Sequence, residues 1–223
     1  MDELDHRLHL FVSEVCANRD ASHGLQHMQR VAILTDQLIM NTNDIDDFHG
    51  CHPDKVRYLA KLVAWLHDVD DHKYTDGTHI VRDKMMTFLA SLDVDTDTIH
   101  DIMTTIKYIS YSQQIRTWGE DEPDWSTVLP AYMIPVRHFV SDADKIEALG
   151  AEGVKRCLDY SRHKYPEGDD IFHIRHLVTH HKEKLSKIAS RYIYTAAGKV
   201  IARREQELMD VSVDMLARSI AAY

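Results

Sequence analysis

Residues 64–74 read A-W-L-H-D-V-D-D-H-K-Y and follow the apolar positions Leu59 and Leu62, so the stretch should be buried where it begins. His67 and Asp68 stand side by side at the end of this apolar run. A buried imidazole and a buried carboxylate each carry a large desolvation penalty unless another group satisfies them. The pair must therefore either bond to polar groups in the core or hold a cation, and the rest of the chain decides between the two.

The composition narrows the classes of partner. The chain has 223 residues, which is enough for one well-packed domain with little room for a second. Its formal net charge is -10 without a long basic block, which argues against a nucleic-acid polymer as the main partner. The apolar runs are too short to span a bilayer, the first residues lack the features of a signal peptide, and the three cysteines are far apart. We therefore expect a soluble, cytoplasmic protein without a membrane partner.

The hydrophobic pattern predicts an all-α protein, because apolar residues recur at helical spacing and no sustained alternation typical of strands occurs. We expect a single domain over residues 1–223, with a core from about 15 to 187 and a long C-terminal helix from about 195 to 221 packed on it. Residues 111–126 are predicted to be an irregular loop that borders a site. The helices before the C-terminal one are predicted at about 4–15, 23–40, 53–68, 78–92, 97–110, 130–140, 142–163 and 171–187.

Two of these helices place histidine on an inward face. His27 precedes Val31 by one turn on the apolar face of its helix, and His67 follows Leu59 and Val63 at successive turns. A lone inward histidine is more often a hydrogen-bonded structural residue than a metal ligand. Asp68 lies about 100° around the helix from His67, so a helix that bends or ends there can aim both side chains at one point.

A third segment, F-V-S-D-A-D-K-I-E-A-L-G at 139–150, carries an inward carboxylate. Asp142 lies on the stripe of Phe139, Ile146 and Leu149, whereas Asp144 falls off that stripe and is expected to be solvated or to support a ligand. A buried aspartate is seldom left unpaired. Two inward histidines and two inward aspartates form a mixed imidazole and carboxylate set that suits a divalent transition metal with positions left open for water and substrate.

Four elements in this order resemble the HD-domain metal-dependent phosphohydrolases, and most closely their small stand-alone bacterial and fungal members. The elements are H-x-x-R-V at 27–31, H-D at 67–68, a following D-x-K at 71–73, and D-A-D-K-I-E-A-L-G at 142–150. The resemblance covers about residues 15–215. It implies an orthogonal helical bundle with one divalent ion, Mn²⁺ before Ni²⁺, Fe²⁺, Co²⁺, Zn²⁺ or Mg²⁺. The implied ligands are His27, His67, Asp68 and Asp142.

The resemblance also implies a reaction, the hydrolysis of a phosphate ester or anhydride in a nucleotide or another small phosphorylated substrate. Nucleoside triphosphate pyrophosphohydrolase and nucleotidase activities both occur in the family. We expect Asp71 to orient or deprotonate the attacking water, and Lys73 to neutralise phosphate charge. Arg30 could pair with neighbours of Asp142 or contact phosphate, and His23 could bind phosphate or donate a proton. Relatives commonly have His-Asp where this chain has His23-Gly24, so an acidic side chain is missing there.

Two other functions remain open from the sequence. A cyclic-nucleotide phosphodiesterase of the same superfamily often needs a second metal, for which His23, His72 and His100 are the available ligands. A helical interaction module with a structural metal, or with none, is the non-enzymatic alternative. The exposed part of the C-terminal helix could pack on a second copy, which would make a homodimer.

Overall fold

Helices form the regular structure of the protein throughout residues 2–17, 24–70, 79–119 and 121–221, the part of the chain that this computed structural model describes, and no strand occurs there. Short 3₁₀ turns lie at Ile45–Phe48, Trp125–Thr127 and Leu185–Lys187. The α-helices are α1 (Glu3–Val15), α2 (Leu25–Asn41), α3 (Pro53–Leu66), α4 (Ile80–Ala90), α5 (Thr96–Lys107), α6 (Tyr111–Trp118), α7 (Met133–Glu147), α8 (Gly150–Lys164), α9 (Asp170–Glu183), α10 (Ile188–Arg191) and α11 (Ala196–Ile220).

Local sequence explains where α3 begins and ends. Pro53 is its first residue, where a missing amide hydrogen costs nothing because the first amides of a helix have no intrahelical acceptor. The helix ends at Leu66, two residues earlier than predicted, so His67 and Asp68 lie just beyond its last turn. This helix end is what aims the two side chains of the dipeptide in a common direction.

The central helix is α7, and its bounds correct the prediction of a break near residue 141. The helix runs without interruption from Met133 to Glu147, and the turn to α8 instead includes Gly150, whose φ of 65° lies in the left-handed region that favours glycine. Residues all around α7 are buried, including Arg137, Asp142 and Lys145. A helix that is covered on every side does not show one apolar stripe, which explains why the sequence pattern misplaced its ends.

The prediction of an irregular loop over 111–126 was wrong for its first half, whereas residues 121–124 are irregular. Residues Tyr111–Trp118 form α6, which begins after Ser110, whose hydroxyl accepts a hydrogen bond from the amide of Gln113 at 3.2 Å. The helix stops at Gly119, where φ is 65°. The sequence of α6 shows no apolar residues at helical spacing, because its buried residue is Gln114 rather than a hydrophobic side chain.

The main core lies where α2, α3 and α7 pack against one another. Leu38 of α2, Leu62 and Leu66 of α3, and Phe139 of α7 are fully buried in it. A smaller apolar cluster of Tyr108, Trp125 and Leu129 lies beside it. Of the three helices that build the main core, α2 carries His27, α7 carries the acidic segment, and α3 ends directly before His67.

The long helix α11 packs on α7, α8, α9 and α2 and is anchored at its amino end by two distant carboxylates. Asp142 accepts hydrogen bonds from the amides of Tyr194 and Thr195, at 3.0 and 2.8 Å, and from the Thr195 hydroxyl at 2.8 Å. Asp47 accepts one from the amide of Ala196 at 2.9 Å. These carboxylates satisfy amides that have no partner inside the helix, and their charge suits the positive end of the helix dipole.

A search of the described residues for a helix both long and apolar enough to cross a bilayer found none.

Candidate metal centre and cationic cleft

His27, His67 and Asp68 come together between α2 and the end of α3. One ligand atom from each lies within 4.8 Å of the others. The Nε2 atoms of the two histidines are 3.1 Å apart, and Nε2 of His27 is 3.6 Å from Oδ2 of Asp68. Both imidazoles are buried, and the Asp68 side chain keeps 22% of its surface exposed, so the group has access to solvent on the carboxylate side.

The hydrogen bonds of the two imidazoles determine which nitrogens carry protons. Nδ1 of His67 lies 2.8 Å from the carbonyl oxygen of Ala64, which only accepts, so this Nδ1 donates. Nδ1 of His27 lies 2.7 Å from a carboxylate oxygen of Glu147 and donates likewise. In the neutral imidazoles each Nε2 therefore presents a lone pair, and the two lone pairs point at each other over 3.1 Å. Such an arrangement requires a proton or a cation between the nitrogens.

The observed separations fit a divalent ion. Imidazole nitrogens bind such ions at about 2.0–2.1 Å, which places two neighbouring ligand nitrogens about 3.0–3.4 Å apart. The 3.1 Å between the histidines falls in this range, and the distances of 3.6 Å to carboxylate oxygens are close to it. Two imidazoles and two carboxylates also form a donor set typical of Mn²⁺, Fe²⁺, Co²⁺, Ni²⁺ and Zn²⁺. The residues present therefore suit a bound metal.

The second carboxylate of this group belongs to Asp144. The sequence analysis had predicted Asp142 as this ligand, and that prediction is corrected. Oδ1 of Asp144 lies 3.6 Å from Nε2 of His27 and 3.8 Å from Nε2 of His67. Asp142 is fully buried, as its helical position predicted, but its carboxylate accepts the hydrogen bonds of Tyr194 and Thr195 at the start of α11. Because these donors occupy both of its oxygens, Asp142 supports the fold rather than the metal group.

Glu147 orients His27 and was missed by the sequence analysis. Its carboxylate accepts from Nδ1 of His27, from Nε of Arg30 at 2.5 Å and from Nη1 of Arg156. A carboxylate that receives the second ring nitrogen of a metal-binding histidine fixes the tautomer and the ring orientation. Arg30, predicted as a substrate contact, is not among the residues that line the adjoining cleft and instead holds Glu147 in place.

The charges of the group shift its pKa values in directions that suit cation binding. Burial alone would lower the pKa of His27, but the hydrogen bond to Glu147 and the charges of Asp144, Glu147 and Asp68 raise it overall. Burial would raise the pKa of Asp144, but the nearby His67, His27 and Lys145 lower it overall. Asp144 is therefore ionised at neutral pH, and positive charge is stabilised at the point where the imidazoles meet.

A cleft of about 630 Å³ opens from this group. Its volume lies within the range of small-molecule sites, about 300–1,000 Å³. Among the described residues, the carboxylates in its lining are Asp68, Asp70 and Asp144, whereas the basic side chains are twice as many. In a chain with a net charge of -10 this is a marked local excess of positive charge. The cations are Arg82, Lys107, Arg116, Lys145, Arg156 and Lys184.

Several predicted residues lie outside the described part of the chain or away from the cleft. His23, Asp71, His72 and Lys73 belong to segments 18–23 and 71–78, which are not described. His100 is exposed on α5, and the described residues provide one group of three potential ligands, that of His27, His67 and Asp68. Of the extra histidines of the phosphodiesterase alternative, His100 is the described one, and it belongs to no group of potential ligands among the described residues.

The segment predicted to border a site does so, although as a helix. Ser110, Tyr111, Gln113 and Arg116 line the cleft. The sequence analysis missed Lys107, Arg116, Arg156 and Lys184 because isolated basic residues carry no spacing signal. The signal available for Asp144, Lys145 and Glu147 was their position inside an otherwise apolar helix, where charged residues are rare unless paired.

Comparison of the sequence with protein families found no matching family model. One relative, an uncharacterised protein L803 of Acanthamoeba polyphaga mimivirus, is 30% identical over 118 residues. The match spans 47% of this chain and 42% of the viral protein, less than half the length of either.

Several crystal structures resemble the protein along almost its whole length. A Lactobacillus plantarum protein is 24% identical and has a TM-score of 0.71, with 100% of each chain covered. Bacillus subtilis YpgQ in complex with ADP is 19% identical, with a TM-score of 0.69 over 99% of this chain and 98% of that one. An HD-superfamily hydrolase from Bacillus thuringiensis is 21% identical, with a TM-score of 0.66 over 99% and 98%. The chain thus has the all-α fold of the HD-domain proteins.

Proposed function

We propose that the protein is a metal-dependent phosphohydrolase that acts on nucleotides. The observation that carries the proposal is the convergence of His27, His67, Asp68 and Asp144 in a cleft lined by an excess of cations. Imidazole and carboxylate ligands suit a divalent ion, and Lys and Arg side chains suit a phosphate. A non-catalytic metal site would require neither the cleft nor its positive charge.

The structural relatives support the same class of reaction. One is named an HD-superfamily hydrolase, and another, YpgQ, was crystallised with ADP. These names support hydrolysis and a nucleotide ligand, respectively, for a chain of the same fold. Nucleoside triphosphate pyrophosphohydrolase and nucleotidase reactions are both compatible with the cleft.

The described side chains provide binding, orientation and charge. Glu147 keeps the proton of His27 on Nδ1, so that Nε2 stays available as a ligand. Arg156, which also pairs with Glu147, places positive charge beside the ligand group, where a phosphate oxyanion would be stabilised. Burial, followed by the charge of Arg137, lowers the pKa of Lys145 to about 7, so Lys145 is only partly charged at neutral pH. A divalent ion held by His27, His67, Asp68 and Asp144 would supply Lewis-acid chemistry toward the phosphoryl group and toward water. Mn²⁺ is the first ion to test, followed by Ni²⁺, Fe²⁺, Co²⁺, Zn²⁺ and Mg²⁺.

The remaining roles are carried over from the family resemblance. Asp71 is proposed to orient or deprotonate the attacking water, and Lys73 to contact phosphate. His23 is proposed as a phosphate contact or a proton donor. These residues follow or precede the ligands His67, Asp68 and His27 by a few positions in the chain, and they lie outside the described residues.

The test is a metal and substrate screen with separate product assays. Purified protein is loaded with each ion and incubated with nucleoside mono-, di- and triphosphates and a cyclic nucleotide. Orthophosphate and pyrophosphate are measured separately, and the nucleoside monophosphate formed from the cyclic nucleotide is followed by chromatography. We expect turnover of a non-cyclic nucleotide with at least one ion, and its loss in Asp144→Asn protein. Release of neither product with any ion, from protein that is shown to bind metal, would overturn the proposal. Cleavage of the cyclic nucleotide alone would favour the phosphodiesterase alternative.

A further inference from the structure

The wall of the cleft formed by residues 107–116, here called the cleft wall, carries two cations that the metal group does not use. Lys107 ends α5 and Arg116 lies on α6, and both line the cleft. Lys107 lies over the ring of Tyr108, at 5.4 Å, and Nη1 of Arg116 donates to Oε1 of Gln113 at 3.0 Å. Within the described ranges neither side chain pairs with a carboxylate, although acidic residues outnumber basic ones in the chain by 36 to 26.

Buried polar contacts with α7 fix this wall in place. Nε of Arg137 donates to the carbonyl oxygen of Tyr108 at 3.1 Å, and its Nη2 donates to Oε1 of Gln114 at 3.0 Å. The Ser141 hydroxyl donates to the carbonyl oxygen of Ile109 at 2.9 Å. Arg137 and Ser141 are fully buried. The backbone of the wall is therefore attached to the helix that also carries Asp144, so the wall has a fixed place beside the metal group.

Arg137 itself is held by aromatic rings. Its guanidinium lies 3.7 Å from the ring centroid of Trp125 and 4.6 Å from that of Tyr194. Cation–π contacts of this kind favour a buried guanidinium that has no carboxylate beside it. The anchor of the cleft wall is thus a rigid part of the core, and the wall is preorganised for a ligand.

We infer that the cleft wall binds the phosphate groups of an oligophosphate chain that lie beyond the one held at the metal group, through Lys107 and Arg116. The inference rests on the proposed function and narrows its substrate class from phosphorylated compounds in general to those with two or more linked phosphates. Arg156, whose Nη1 donates to Glu147 beside His27, serves a single phosphate at the ligand group, which leaves Lys107 and Arg116 of the wall without a phosphate contact. Lys184, whose Nζ lies 4.8 Å from the ring centroid of Tyr111, adds charge on the same side.

The test measures binding of inorganic triphosphate and of orthophosphate by calorimetry, without any turnover. The wild-type protein is compared with the double variant Lys107→Met and Arg116→Met, and with a control double variant, Arg203→Met and Arg204→Met. The control removes the same charge from exposed positions of α11 that do not line the cleft. Metal content is measured before and after each titration, so that extraction of metal by triphosphate is detected.

We expect the wild-type protein to bind triphosphate more tightly than orthophosphate. The cleft variant should bind triphosphate at least about tenfold more weakly, because each lost charge-assisted contact contributes on the order of a factor of ten. Its affinity for orthophosphate should change less, and the control variant should match the wild type. Equal triphosphate affinity in the cleft variant and the wild type would overturn the inference, as would a wild-type preference for orthophosphate.

The outcomes separate this inference from the proposed function. Triphosphate binding that depends on Lys107 and Arg116, in a protein without hydrolytic activity, would support the inference and overturn the proposed function. Full hydrolysis of a nucleoside monophosphate by the cleft variant, together with unchanged triphosphate binding, would support the proposed function and overturn the inference. Unfolding midpoints of both double variants should equal that of the wild type, because the substituted side chains are exposed.

Discussion

Asp142 and Asp144 are two residues apart on α7 and differ in what they contact, which gives a sharp test of the corrected ligand set. Asp144→Asn removes a charge that faces both histidines and should lower metal content strongly. When metal-free proteins are compared, it should change the unfolding free energy little. Asp142→Asn should keep metal content but lower the unfolding free energy by about 1–3 kcal/mol. The reason is that one backbone N–H before α11 would then face the NH₂ group of the asparagine instead of a carboxylate oxygen.

Elemental analysis and urea denaturation of the two variants check this pair of expectations. The two substitutions are chemically identical and two residues apart, so each serves as the control for the other. If Asp142→Asn protein loses its metal and Asp144→Asn protein keeps it, the original prediction of Asp142 as ligand is restored.

Glu147 offers a second test at the scale of a single side chain. Glu147→Gln removes the negative charge that receives Nδ1 of His27 and that pairs with Arg30 and Arg156. Loss of such a supporting carboxylate typically lowers metal affinity by about 10–100-fold. Competition with a chromogenic chelator measures the affinity, and Glu152→Gln, an exposed carboxylate on α8, is the matched control. Equal metal affinity in the two variants would show that Glu147 does not support the ligand.

At the scale of the element, α7 contains a buried histidine that links stability to pH. His138 stacks on Tyr194 at 4.4 Å between ring centroids, and its Nε2 is buried without a hydrogen-bond partner among the described residues. Burial, followed by the charges of Arg137, His49, Lys145 and Lys199, lowers the pKa of His138 well below its usual value. Below about pH 6.5, His138 is therefore protonated in the unfolded chain but stays neutral in the folded chain.

The low pKa of His138 makes the folded state less stable in acid. As the pH falls below about 6.5, the unfolded state gains protons and stability decreases, by up to about 1.4 kcal/mol per pH unit from this one group. His138→Phe keeps an aromatic ring against Tyr194 and removes the titration. Urea denaturation between about pH 5 and 8 should show a smaller loss of stability on acidification in the variant than in the wild type. Parallel curves for the two proteins would contradict the assignment.

At the scale of the whole molecule, removal of the metal should lower thermal stability. Without an ion, Asp68 and Asp144 and the two imidazoles lie close together in a largely buried site. A ligand present at about a hundred times its dissociation constant adds about 2.7 kcal/mol to the unfolding free energy. For a chain of this size that corresponds to a fall of about 5–10 °C in Tm on chelation. Calorimetry before and after verified metal removal measures it, and the Asp144→Asn variant should show a much smaller fall.

The all-α fold and the inward positions of His27, His67 and Asp142 could be predicted from the sequence, because helical periodicity reports which side of a helix is buried. Which residues of other helices these side chains contact could not be predicted. On α7, which is covered on every side, Asp142 and Asp144 both point into the protein, and only the packing of α11 and of α2 decides which carboxylate faces the histidines. The short polar helix α6 was missed for a related reason, since its stability comes from contacts with α7 and Tyr194 rather than from its own pattern.

The attachment of α11 has a consequence for protein synthesis. Asp47 and Asp142, which hold its first turn, are both translated before it, so the carboxylates are in the chain before the helix that they receive. A chain released before Thr195 would contain every side chain of the metal group, but Asp142 would lose its donors and the surfaces of α7, α8 and α9 on which α11 packs would be uncovered. Lost hydrogen bonds and newly exposed apolar surface both destabilise a fold. Such prematurely terminated products should be degraded rapidly, and a cell would accumulate only chains that extend through α11.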